Sequence, residues 1–270
     1  VSLAIVALHT SGALAADGKL IATAGLSQIE GSGGGGIVPW ATLSGYDSRE
    51  QISAGAVATQ VDVDAYRLTM LGASLSFYDS LEVSIAQQRF EIKGAGIDIK
   101  QNILGLKYRV YGDVVYSTWP QVQYKHLEDA AVATSLGADN SNSGTDFYVA
   151  ATKVHLAAIG GYNAVWNLTA RATKANEMGI LGFGGINNDN YQIMLEASAG
   201  ILFSRNIAVG IEYRQKPDNL ALGEDDWTDY FISYIPSKDF NLTLAWAELG
   251  TIAGASGQSG LYLSLNGQLW

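Results

Sequence analysis

Residues 239–249 read DFNLTLAWAEL and residues 206–216 read NIAVGIEYRQK. In the first stretch Phe240, Leu242, Leu244 and Trp246 share one parity, opposite Asn241, Thr243, Ala245 and Ala247. In the second, Ile207, Val209, Ile211 and Tyr213 oppose Glu212, Arg214 and Lys216. Successive side chains of a strand point to opposite faces, so this period of two marks strands with one apolar and one polar face. A helix would space its apolar residues three and four apart. The same alternation recurs at 101–111, with Leu104, Leu106, Tyr108 and Val110 against Lys107 and Arg109. It recurs again at 162–175, with Ala164, Trp166, Leu168 and Ala170 against Asn163, Asn167, Thr169 and Arg171. Extended along the chain, the pattern predicts twelve strands: 51–61, 65–78, 81–92, 101–111, 115–128, 146–158, 162–175, 190–203, 206–216, 226–235, 239–249 and 259–270.

The connections between these strands alternate in length. Counted back from the C-terminus, 250–258, 217–225, 176–189, 129–145 and 93–100 are long, whereas 236–238, 204–205, 159–161, 112–114 and 79–80 are short. Only the first outer link, 62–64, breaks the rule. Long outer loops and short periplasmic turns are the habit of bacterial outer-membrane barrels, and a soluble sandwich has no reason to share it. The expected fold is therefore an all-β, transmembrane, antiparallel up-and-down β-barrel located in a bacterial outer membrane.

Composition agrees. Of 270 residues, 48% are hydrophobic and 16% charged, yet no apolar run approaches the roughly 20 residues of a membrane helix. A chain that crosses a bilayer without such helices must close its backbone hydrogen bonds as a barrel. The 31 glycines, 14 tyrosines and 6 tryptophans suit tight turns and interfacial aromatic girdles. The absence of cysteine excludes disulfides and thiolate metal sites. A net charge of −10 argues against a nucleic-acid partner.

The two ends carry their own signals. Residues 1–15 read as the remnant of a signal peptide, with apolar VSLAIVAL followed by Ala13-Leu14-Ala15 as a cleavage site. Residues 16–50 form a Gly-rich segment of poor alternation that precedes the barrel proper at 51–270. Gly31, Gly33, Gly34, Gly35, Gly36, Pro39 and Trp40 mark it as a lumen plug, since glycine permits close backbone packing and Pro39 cannot donate to a ladder. The alternative is an extra hairpin, 19–29 with 38–46, giving fourteen strands. The final strand ends on Trp270, one step out of phase with Leu261, Leu263, Leu265 and Leu269. A terminal aromatic of this kind implies the barrel assembly machinery as a partner.

The candidate functional residues are those placed on the lumen parity: Lys107, Arg109, Lys125, Lys153, His155, Arg171, Glu196, Glu212, Arg214 and Lys216. Charges are costly on the lipid face at mid-membrane and belong inside. Seven basic residues against two acidic ones predict either a mildly positive interior favouring anionic solutes or charges that pair with one another or with a plug in a closed lumen. Acidic residues, including Asp146 and Glu224, are assigned to solvated loops, with an outer rim holding divalent cations that bridge to lipopolysaccharide as the alternative; outer-membrane lipid and lipopolysaccharide are the expected surroundings. Eleven aromatics, among them Tyr66 and Tyr148, are read as interfacial girdles. His126 and His155 lack a nucleophile in sequence context, and no histidine pair has metal-ligand spacing. No catalytic residue, metal or cofactor is expected. The function predicted is a passive channel or uptake barrel for small solutes. A non-conducting structural or surface-interaction barrel is the alternative, and a hydrolase ranks third.

The stretch GKLIATAGLSQIEGSGGGGIVPWATLSGYDSREQ at 18–51, with LEVSIAQQRF at 81–90, resembles a proteobacterial family catalogued as a domain of unknown function. That resemblance implies an outer-membrane barrel and brings no catalytic residues. More distantly, the Gly-rich N-terminus resembles hatch-bearing barrels that take up hydrophobic compounds.

Overall fold

The computed structural model describes residues 24, 26–113, 116–139 and 141–269. The signal-like stretch 1–15 and Trp270 lie outside the described residues. Twelve long strands form the wall. They are β1 (Ile52–Val63), β2 (Tyr66–Phe77), β3 (Leu81–Ile92), β4 (Ile97–Tyr108), β5 (Tyr116–Leu127) and β6 (Ser143–Ile159). After these come β7 (Tyr162–Thr173), β8 (Gln192–Ser204), β9 (Ile207–Arg214), β10 (Trp227–Tyr234), β11 (Phe240–Ile252) and β12 (Ala255–Leu269). Each pairs antiparallel with its neighbour in sequence, and β12 returns to β1, from Gly260↔Val63 to Leu269↔Ala54. β4 joins β5 from Gln101↔Leu127 to Lys107↔Gln121, which completes the ring. The wall has twelve strands rather than the alternative fourteen, and the described residues before 51 contribute nothing to its ladder.

Three long connections, 128–142, 174–191 and 215–226, gather at one end, here the loop end. The links at the opposite, turn end are short. Two connections expected to be long are not. The 93–100 link contracts to 93–96, and 250–258 becomes Ala253 and Gly254 between extended β11 and β12. Gly and Ser residues in 250–260 read as loop, but the two strands pair through them with register shifts around Gly250.

Burial alternates along nearly every strand, as in β4. The outward set is apolar: Leu168 is 58% exposed, Ile193 67% and Leu261 61%. So much apolar surface is anomalous in water and appropriate against lipid tails. Aromatic residues ring the turn end, where Tyr162 meets Phe203 at 5.3 Å and Tyr111 meets Tyr116 at 5.9 Å. A second ring at the loop end includes Phe147 and Tyr191 at 6.1 Å. Amphipathic rings sit well at headgroup level. Tyr66 and Tyr148 are not part of either girdle; both point inward and are buried.

Lys153 and His155 also require correction. In β6 the inward positions are Asp146, Tyr148, Ala150 and Thr152, all buried. Lys153 and His155 therefore face outward, not into the lumen. They lie toward the turn end, where Lys153 is opposite Tyr116 and Trp166, and His155 accepts a hydrogen bond from Trp166 Nε1 at 3.0 Å. An outward charge is expensive only near mid-membrane and nearly free at the interface, where a lysine stem can reach the headgroups. Leu168, outward at the centre of β7, supplies the contrast. Its replacement, Leu168→Arg, is expected to destabilise the barrel by about 2–4 kcal/mol in lipid. Lys153→Leu should change stability far less. Denaturant titration of barrels folded into vesicles measures both.

Candidate functional site

Residues 26–47 occupy the lumen and are buried almost throughout. This hatch contains a two-residue ladder, Leu26–Ser27 against Gly33–Gly34, and a bridge from Gly34 to Pro39. Its turn at Gly31 has a φ of 91°, a left-handed conformation that suits glycine. The glycine run exists because the wall comes so close. A methyl built on Gly35 would lie 1.7 Å from Glu212 Oε1.

The inward polar residues of the wall are hydrogen-bond partners for this irregular backbone. Glu212 accepts from Gly36 N at 2.6 Å, Ile37 N at 2.7 Å, Trp40 Nε1 at 3.1 Å and Ser198 Oγ at 2.7 Å. Glu82 accepts from Gly33 N at 2.8 Å and Ser44 N at 2.7 Å. Lys107 donates to the carbonyls of Gly33, Trp40 and Thr42. Arg214 donates to Ile37 O at 2.8 Å, and Pro39 O accepts from Thr169 at 2.7 Å and Asn167 at 3.2 Å. Buried backbone groups without such partners would each cost about 1–3 kcal/mol.

The charges form an ion-paired network rather than a positive ladder. Glu30, carried in on the hatch, pairs with Lys125 and with Arg214, the latter at 2.9 Å. Lys125 also meets Asp146 at 2.6 Å, and Arg171 meets Glu196 at 2.6 Å. Arg109 pairs with Asp79 at 2.6 Å near the turn end and lies over the Trp119 ring. Lys216 sits at the loop end, 2.5 Å from Glu177 and 3.0 Å from Glu224. Glu82 and Asp229 add further buried carboxylates. The expected excess of positive charge is thus absent, and Asp146 and Glu224 are interior ion-pair partners rather than rim acids. The parity of Asp146 with Tyr148 and Thr152, and of Glu82 with Ser84 and Gln88, could have revealed two of these. Glu30 carries no periodic signal.

Above the hatch the lumen turns apolar. Val61, Val63, Leu68, Phe90, Leu249 and Ile252 project inward from the loop-end halves of β1–β3 and β11. The 174–191 loop folds over them and buries Met178, Ile180, Leu181 and Phe183. The enclosed space that remains is only about 30 Å³, with hatch residues Ile29 and Ile37 at its floor. The hatch thus lies against the wall at mid-height, and this fold-over lies against the apolar residues of the loop end.

Solved structures place the architecture. The KdgM porin matches with a TM-score of 0.51 at 12% identity, covering 81% of this chain and 99% of its own. The KdgM porin in complex with disordered oligogalacturonate matches over the same shares, with a TM-score of 0.50 and 12% identity. LpxR from Salmonella typhimurium gives 0.49 at 12% identity, over 82% of this chain and 100% of its own. At these identities the porin likeness is one of fold, that of an outer-membrane barrel. No curated protein matches the chain. The family model described as "Protein of unknown function (DUF3034)" matches residues 23–266, nearly the whole described barrel with its hatch, and the chain belongs to that family.

Proposed function

We propose that the protein is an uptake channel for small solutes in the outer membrane, shut by its N-terminal hatch. One observation carries this reading: the wall is complete without the hatch. Every wall strand finds both ladder partners in other wall strands, and the hatch hairpin pairs only with itself. Hatch and wall meet through side chains, so the hatch can shift without breaking the ring on which a membrane barrel depends. The ion-paired interior, with more acidic than basic groups, supports no preference for anions. It favours a second reading, a barrel that never conducts and works through its loops, which the outcomes below separate.

Ser44 of the hatch and Ser74 of β2 place their hydroxyl oxygens 2.6 Å apart, in a chain without cysteine. The double variant Ser44→Cys/Ser74→Cys can therefore form a disulfide between hatch and wall. In a liposome-swelling assay with arabinose, the oxidised variant is expected to admit no more solute than protein-free vesicles, and reduction should restore entry. Equal rates in both states would remove the hatch from the gating role. No entry in either state, with none after deletion of 26–46, would select the non-conducting reading.

Glu212→Ala tests the anchor itself. It leaves the buried Gly36 and Ile37 amides without their acceptor, a loss of about 1–3 kcal/mol for each group. Hydrogen exchange across 33–40 is expected to accelerate tenfold or more, together with more frequent openings in planar bilayers. Unchanged exchange would mean that Glu82 and Lys107 hold the hatch alone.

A further inference from the structure

The apolar wall residues of the loop-end chamber take no part in the hydrogen bonds and ion pairs that anchor the hatch, and their arrangement is unusual. Its wall residues occupy inward positions at the mouth of the barrel, where polar side chains would serve a hydrated entrance. Tyr66 and Phe90 stack there at 4.9 Å, beside Trp227 and Tyr262. An apolar concavity at the mouth of a barrel, covered only by a loop, is the form of a site for an apolar ligand.

What fills it now is the protein's own loop. Residues 176–184 reach inward, and Met178 lines the chamber together with Ile180. To place them, the chain holds two consecutive non-glycine residues in the left-handed region, Glu177 at φ 44° and Met178 at φ 61°. Such strain persists only where surrounding contacts impose it. The loop is further tied by Lys216, which bonds Glu177, Glu224 and the Thr251 carbonyl, joining two connections and the end of β11 at one buried cation. Burial and the nearby Glu224 push the Glu177 carboxyl well above the usual carboxylate range. Opening the loop would relax the left-handed residues and return the Lys216, Glu177 and Glu224 side chains to water. It would also bare the apolar wall, and this opposing effect is what a bound apolar molecule removes.

We infer that the chamber is a binding site for a small uncharged apolar molecule of about one aromatic ring. Residues 176–184 are its lid, and Met178 and Ile180 hold the ligand's place when the site is empty. This deepens the channel reading, because a solute arriving from the loop end meets lid, chamber and hatch in that order. Equilibrium binding requires no passage, so the two ideas fail separately.

The test follows fluorobenzene by fluorine NMR with the full chain in lipid nanodiscs, against empty nanodiscs. Wild type is expected to show saturable broadening that toluene displaces. Lys216→Met, which removes the cation tying the lid, should bind at least tenfold more tightly. Ala247→Leu, which adds bulk at the chamber wall, should bind at least tenfold more weakly. Circular dichroism confirms that each variant retains its barrel. Absence of saturable binding in both wild type and Lys216→Met, or equal binding by Ala247→Leu, would overturn the proposal. Displacement by laurate but not toluene would also overturn it, since the occupant would then be an acyl chain.

Discussion

Every peptide group at membrane depth needs a hydrogen-bond partner, and this requirement acts twice in the structure. In the wall it is met by ladder pairing closed from β12 back to β1. Inside, it falls on a hatch whose backbone is too irregular to satisfy itself. Non-helical, unpaired backbone is tolerated within a membrane only when protein surrounds it. Glu82, Lys107, Glu212, Arg214, Asn167 and Thr169 supply the missing donors and acceptors. The inward polar residues are therefore specified by the hatch as much as by the wall.

The same constraint explains the charges. A carboxylate buried beside peptide N–H groups is a strong acceptor, but burying it requires compensation. Glu212 is compensated by backbone and indole donors, Glu30 by Lys125 and Arg214, and Glu196 by Arg171. Removing either partner from such a network leaves a bare buried charge, so the network resists piecemeal change. It also explains why an inward basic residue is a poor guide to solute charge. Lys107 spends its ammonium on three hatch carbonyls and presents none of it to a passing ion.

The wall was legible in the sequence because period-two alternation is enforced by two unlike solvents, lipid outside and protein inside. β3 falls where 81–92 predicts it, and most other boundaries shift by one to four residues. Legibility fails where that enforcement weakens. Near the turn end, headgroups accept charge, so Lys153 and His155 could sit outward against a rule that holds at mid-membrane. At 250–258, glycine and serine mimic a loop while the strands continue. The hatch has neither period, and its destination could be read only from its glycines; Glu30, its central anchor, was invisible to that reading. The apolar chamber was missed for a different reason. Val61, Val63, Leu68 and Leu249 look like lipid-facing residues until the register shows that they point inward.

Hatch and loop fold-over are not held inside the barrel in the same way. The hatch is bound to the wall through directional hydrogen bonds and ion pairs, which demand fixed geometry and must break before it moves. The loop is bound through contacts among Met178, Ile180, Leu181 and Phe183 and the apolar wall, which are non-directional. Polar anchoring is released by supplying alternative partners, such as water entering along the hatch, whereas apolar closure yields to another apolar surface. The two meet at Ile29 and Ile37, which are hatch residues facing the chamber. Ile29 adjoins Glu30, and Ile37 shares its backbone with the Glu212 and Arg214 anchors. A displacement at the chamber floor therefore acts directly on the groups that hold the hatch, with no intervening element to absorb it.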